Sequence, residues 1–293
     1  MKYITFYSLC SLFLAVPAHA FELGWTMSGP WNAAPLRAKT KGAPTFLIMP
    51  AGVIDVSGTL TFSHTFNSLQ NVCGRNAEVE FRLSMKTRRP DQIEARVFPR
   101  LRKSLQEKLM GVCASSLEIS PEPIFGKSRE VLLPWAKALR TAIQGDVPIR
   151  MLVPPIGDAT TKGPYVPAPL ATALVTELDG LDLLLSSLPP GKDPYRARVV
   201  QNLKWANERA GATHKSITLI VSGTHNFYYQ PAAPEEALSE TFEALKSLPK
   251  GSLPHYCSGK VRFAIASDQV IMDPKQDRLL GEMEKWVKDN CLD

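Results

Sequence analysis

Residues 216–221, Ser-Ile-Thr-Leu-Ile-Val, decide the fold. The run has no sustained alternation of polar and apolar side chains, so it reads as a strand covered on both faces, the pattern of a parallel sheet with helices packed against it. Ile149–Val153 and Val261–Ala266 read as further buried strands. Between and after them, apolar residues recur at helical spacing: Leu132, Trp135, Leu139 and Ile143; then Leu170, Leu174, Leu178, Leu181 and Leu185; then Val199, Leu203 and Ala206; then a segment from Pro234 to Leu248; and last Leu279, Leu280, Met283 and Val287. Each connection is long enough to cross over the sheet. The C-terminal half is therefore expected to be α/β, a mostly parallel sheet with helices on its faces.

Toward the N-terminus the rhythm changes. Thr45–Met49 and Val53–Val56 are short strand-like runs bounded by Pro50, Gly52 and Gly58. In Ala77–Met85, Val79, Phe81 and Leu83 alternate with Glu78, Glu80 and Arg82, which predicts a half-buried strand wet on one face. A helical segment follows from about Pro90, interrupted at Pro99, then a short strand at Leu117–Ile119 and a Pro-rich link, Pro121-Glu122-Pro123. These elements suggest an α+β N-terminal domain over 21–126 and an α/β domain over 127–293. The alternative is one sheet running through both.

Residues 1–20 read as a secretory signal peptide: Lys2, an apolar run from Tyr3 to Val16, and the cleavage pattern Ala18-His19-Ala20. No other apolar run approaches the length needed to cross a bilayer. The expected location is periplasmic or secreted, which excludes cytoplasmic roles. Four cysteines follow the signal, and an even number in an oxidising compartment reads as disulfides. The pairing Cys73–Cys113 plus Cys257–Cys291 closes the shortest loops. There is no C-x-x-C, and no metal site and no cofactor are expected.

The formal net charge is +6, and its densest source lies between residues 82 and 108, where Arg88, Arg89, Arg96, Arg100 and Lys103 are the candidate binding residues. Such a patch suits an acidic protein or an anionic envelope surface. Ile93, Val97, Leu101, Leu105 and Leu109 recur every fourth residue, so the same residues also read as the solvated face of an amphipathic helix. Nucleic acid is not an expected partner, because no aromatic residues are interleaved with the basic ones.

Ligands of open α/β sheets collect beyond the carboxyl ends of the strands. Two segments stand there: Gly157-Asp158-Ala159-Thr160-Thr161 and Ser222-Gly223-Thr224-His225-Asn226. His225 is a candidate general base, with Asp158 to orient it and Ser222 or Thr224 as the hydroxyl. His64, His214 and His255 stand singly and read as surface or turn residues. No G-x-S-x-G, H-E-x-x-H or phosphate-binding glycine loop is present.

Lys215–Gly223 resembles the central strand of von Willebrand A domains, with Asp158 and Thr160 at two positions of that family's D-x-S-x-S metal motif; Lys162 occupies its last hydroxyl position. That resemblance implies an adhesion module whose metal site is damaged. His225 with His255-Tyr256-Cys257-Ser258-Gly259 is similar to caspase-like peptidases, but Cys257 precedes its strand. Neither motif is complete and neither is adopted. The reading carried forward is an exported protein acting through protein or envelope contacts. The alternative is a periplasmic hydrolase using His225 and Asp158.

Overall fold

The computed structural model of the chain describes residues 23–27, 46–54, 60–62, 78–85, 103, 114–120, 132–143, 147–160, 164–185, 192–222, 234–267 and 274–291. In chain order they form strands β1 (Leu23–Met27), β2 (Phe46–Ile54), β3 (Leu60–Phe62), β4 (Glu78–Met85) and β5 (Ala114–Ser120), then helix α1 (Leu132–Ile143). Strands β6 (Ile149–Val153), β7 (Ile156–Gly157) and β8 (Val166–Pro167) precede helix α2 (Ala168–Glu177) and strand β9 (Gly180–Leu184). Helix α3 (Lys192–Thr213), strand β10 (Ser216–Ser222), helices α4 (Pro234–Lys246) and α5 (Pro254–Cys257), strand β11 (Val261–Ser267) and helix α6 (Pro274–Cys291) follow.

Eight strands pair in parallel in the order β1, β2, β4, β5, β6, β9, β10, β11, and β11 pairs back onto β1 with Leu23 opposite Phe263. The pairings close a ring. Thr26 lies opposite Ile48, Ile48 opposite Glu80 and Glu80 opposite Ser116; carried on at the same offsets, the path returns to β1 eight residues earlier, the shear of a (β/α)8 barrel. Strand β3 adds antiparallel to β2. The α/β class with a mostly parallel sheet is as expected, and parallel pairing extends through β2, β4 and β5 as well. Strand β5, which precedes position 126, pairs with β6, which follows it.

Alternation along the strands sorts side chains into two populations. Phe81, Leu83, Leu117, Ile119, Met151, Leu183, Leu219 and Phe263 face outward into a core shared with Trp135, Leu139, Leu174, Val199, Leu203 and Leu245 of the helices, all buried. Each such side chain stabilises the fold by roughly 2 kcal/mol through burial alone. Ile48, Leu152, Leu184, Ile220, Ala264 and Ala266 form a separate cluster inside the ring.

Three expectations are corrected. The polar face of β4 is not wet, because it lines the inside of the ring: Glu80 is 2% and Arg82 3% exposed. The segment Leu170–Leu185 is not one helix. Helix α2 stops at Glu177, and the Leu178 N–H still donates to the Leu174 carbonyl, 2.9 Å. Asp179 then fastens the turn to β6, its N–H donating to the Ile149 carbonyl and its carboxylate accepting from the Ile149 N–H, both 2.9 Å. Gly180 opens β9 immediately after. Likewise Phe46–Ile54 is a single strand whose register shifts between Pro50 and Gly52, where two shorter runs were expected.

The expected Cys257–Cys291 disulfide is present and ties α5 to the end of α6. Trp286 of α6 meets Phe242 of α4 edge-on, ring centres 6.4 Å apart. Cys73 and Cys113 lie outside the described residues, as do residues 1–20. Among the described residues no helix is long and apolar enough to cross a membrane.

Candidate functional site

In a closed α/β ring, catalytic residues stand at the carboxyl ends of the strands while the opposite face serves stability. The inward side chains below that mouth are unusual in being charged. Arg82 of β4 donates from Nη2 to Glu118 Oε1 of β5 at 2.9 Å and from Nε to the other oxygen. Arg150 of β6 donates to Asp182 of β9 at 2.5 Å and to Thr218 Oγ1 of β10 at 2.8 Å, and its Nε lies 3.3 Å from Glu80. Arg262 of β11 donates to Glu80 and, at 3.1 Å, to Thr218. Among the described residues, three guanidinium groups and three carboxylates thus share the interior, all at most 4% exposed. Register makes the contacts: Arg82 is directly opposite Glu118, and Glu118 opposite Arg150.

The environment separates the carboxyls. Burial pushes Glu118 up to about 8, with Arg82 pulling it back and Asp182 and Glu80 adding to the rise. Burial also opposes ionisation of Asp182, but Arg150 outweighs it and holds that carboxyl below its ordinary range. Arg150 loses to burial and gains more from Asp182 and Glu80, so its charge is secured.

The lining is also uneven from base to mouth. On β6, β9, β10 and β11 the polar residue gives way to Leu152, Leu184, Ile220 and Ala264 two residues further on. On β4 and β5 the inward column stays polar: Glu80, Arg82 and Ser84 on one strand, Ser116, Glu118 and Ser120 on the other. Continued at period two beyond Ser120, the β5 column reaches Glu122 in the sequence, a residue outside the described ones. Sequence reading passed over it as part of a Pro-rich link; strand parity is the signal that singles it out.

Asp158 is exposed and follows β7, whose Ile156 N–H donates to the buried Asn202 side chain of α3 at 2.7 Å. Its carboxylate accepts from the Thr160 N–H at 2.9 Å and the Thr160 hydroxyl at 2.6 Å, a local turn. Ser222 ends β10. Thr224 and His225 lie outside the described residues, as do Arg88, Arg89, Arg96 and Arg100 of the basic run; Lys103 is exposed. Among the described residues no group of three metal-binding side chains gathers.

Comparison with solved structures finds the same fold at low identity. A chitinase from Bacteroides thetaiotaomicron aligns with a TM-score of 0.62 at 10% identity, over 90% of this chain and 96% of that one. The spore cortex-lytic enzyme SleL of Bacillus megaterium QM B1551 aligns at 0.60 and 11%, over 92% and 74%. A GH18 chitinase from Pseudoalteromonas aurantia aligns at 0.56 and 11%, over 92% and 99%. No family description and no curated protein matches the chain at the level of sequence. The likeness is therefore one of fold.

Proposed function

We propose that the chain is an exported glycoside hydrolase that cleaves an N-acetylhexosamine polymer of a cell envelope at the carboxyl mouth of its ring. The observation that carries this reading is the polar column of β5, which runs Ser116, Glu118, Ser120 and points in sequence to Glu122 as the carboxyl at the mouth. The solved structures of like fold are chitinases and cortex-lytic enzymes, which favours the hydrolase alternative over a binding module. In hydrolysis of the GH18 kind the substrate assists its own cleavage, so one enzyme carboxylic acid suffices where most glycosidases need two. Glu122 is assigned that role: it protonates the departing glycosidic oxygen and then takes a proton from the incoming water. The buried Arg82–Glu118 pair holds the strand that leads to it in sequence.

The test is hydrolysis of soluble chitin oligosaccharides and of peptidoglycan by the purified chain and by Glu122→Gln. Loss of about a thousandfold in Glu122→Gln, with an unchanged circular dichroism spectrum, is expected. Retention of activity there, with loss in His225→Ala, moves the chemistry to His225, Asp158 and Ser222 or Thr224. A wild-type chain that cleaves neither polymer returns the reading to envelope contacts through the basic run.

A further inference from the structure

The face opposite the mouth carries a second cluster that the sequence scatters. His214 precedes β10, Lys260 precedes β11, and these are neighbouring strands with Ile217 opposite Val261. Their side chains therefore meet: Lys260 Nζ is 3.3 Å from His214 Nδ1. His255 of α5 joins them from a third element. Its N–H donates to Asn207 Oδ1 of α3 at 3.0 Å, and its ring lies over Gly211, where a Cβ would stand 2.8 Å from Cδ2 and 3.2 Å from Cε1. The missing side chain at 211 is what gives the ring its seat.

Three features single this cluster out. First, among the described residues no carboxylate pairs with His214, His255 or Lys260, whereas Arg140, Arg150, Arg196 and Arg262 each have one. Second, His214 has φ of 58°, the one non-glycine residue with positive φ among the described residues, a conformation that a fold retains where it is over-determined. Third, burial disfavours the charged form of His255, and Lys260 and His214, the ionisable groups acting on it, disfavour it further. A lysine ammonium and two imidazoles gathered without a carboxylate among the described residues are what an anion completes. The geometry points to a phosphate-class oxyanion site formed by His214, His255 and Lys260 on the amino-terminal face of the ring, remote from the mouth. It binds phosphate free in solution or esterified in an envelope polymer, and it does not depend on the hydrolase reading.

The test titrates the full chain with inorganic phosphate at about pH 5.5, where imidazoles are chargeable, following histidine side-chain resonances by NMR. Saturable changes in the His214 and His255 resonances are expected, together with a rise in the His255 titration midpoint. Lys260→Gln weakens binding about tenfold and leaves the circular dichroism spectrum unchanged. His214→Asn, which tolerates the positive φ, provides an independent variant with the same expectation. Dimethyl phosphate binding as well as inorganic phosphate assigns the site to polymer phosphodiesters; binding of inorganic phosphate and methyl phosphate alone assigns it to free phosphate or monoester ends. No saturable shift up to about 20 mM phosphate, a weak limit for a specific site, overturns the inference. So does an equal response to chloride at matched ionic strength, an unchanged affinity in both folded variants, or a response to Zn2+ with none to phosphate.

Discussion

The guanidinium of Arg150 occupies the place where a side chain at position 180 would begin. A Cβ on Gly180 would stand 2.6 Å from Arg150 Cζ and 2.8 Å from the Ser216 carbonyl oxygen. Glycine at the first position of β9 is thus what lets the charge pass over that strand to reach Asp182 and Thr218. Gly180→Ala is expected to cost about 3 kcal/mol, from overpacking and a displaced ion pair together, read as a lower urea midpoint. A variant as stable as the parent contradicts the packing described.

The two sides of the interior network differ in what they tolerate. Arg150→Met strands the ionised Asp182 and is expected to cost about 4 kcal/mol. Glu118→Gln is expected to cost under about 1 kcal/mol near neutral pH, because its carboxyl already favours the neutral form. Equal losses in the two variants would show that Glu118 is fully ionised beside Arg82.

The same contrast sets a pH dependence. Glu118 titrates at about 8 in the folded chain against an ordinary value of 4.5, so the folded state holds a proton that the unfolded state has released. Its contribution is complete below 4.5 and is lost as pH rises toward 8, with a slope approaching about 1.4 kcal/mol per pH unit. Asp182 acts in the opposite sense: it stabilises above its ordinary 3.8 and is lost as pH falls through its depressed folded value. Subtracting the Glu118→Gln stability curve from that of the parent isolates the first effect. A flat difference between pH about 5 and 8 contradicts it.

The Cys257–Cys291 bridge spans 34 positions of sequence. Loop-closure entropy for that length gives about 4 kcal/mol. The double variant Cys257→Ser with Cys291→Ser is expected to lose that much in urea denaturation, and protease sensitivity is expected to rise first in α6.

Asp158 spends its carboxylate on the Thr160 turn. Asp158→Ala is expected to cost about 1 kcal/mol or less in stability and to leave glycoside hydrolysis within about twofold. A loss of about a hundredfold transfers the catalytic assignment to the His225 reading.

Strands buried on both faces were legible in sequence: Ile149–Val153 has the expected bounds, and β10 and β11 differ by one residue. Strand β9 was not, because Leu181 and Leu185 continue the spacing of Leu170, Leu174 and Leu178 by coincidence, and only the Asp179 contacts to Ile149 mark the break. The polar residues of β4 could not be placed from alternation, which reads the same whether a polar face meets solvent or the inside of a ring. Pairing Arg150 with Asp182, or Arg262 with Glu80, needs strand order, and strand order is a property of the whole chain. For the same reason the meeting of His214 with Lys260 follows from neighbouring strand starts and from nothing near either residue in sequence.

The closure of β1 onto β11 fixes an order of events during synthesis. Leu23 is made long before its partner Phe263, so β1 keeps one edge unmatched until β11 has been made. Native closure is thus a late step, carried by contacts of very long sequence separation and correspondingly slow. Until then the β1 edge is what a chaperone would meet.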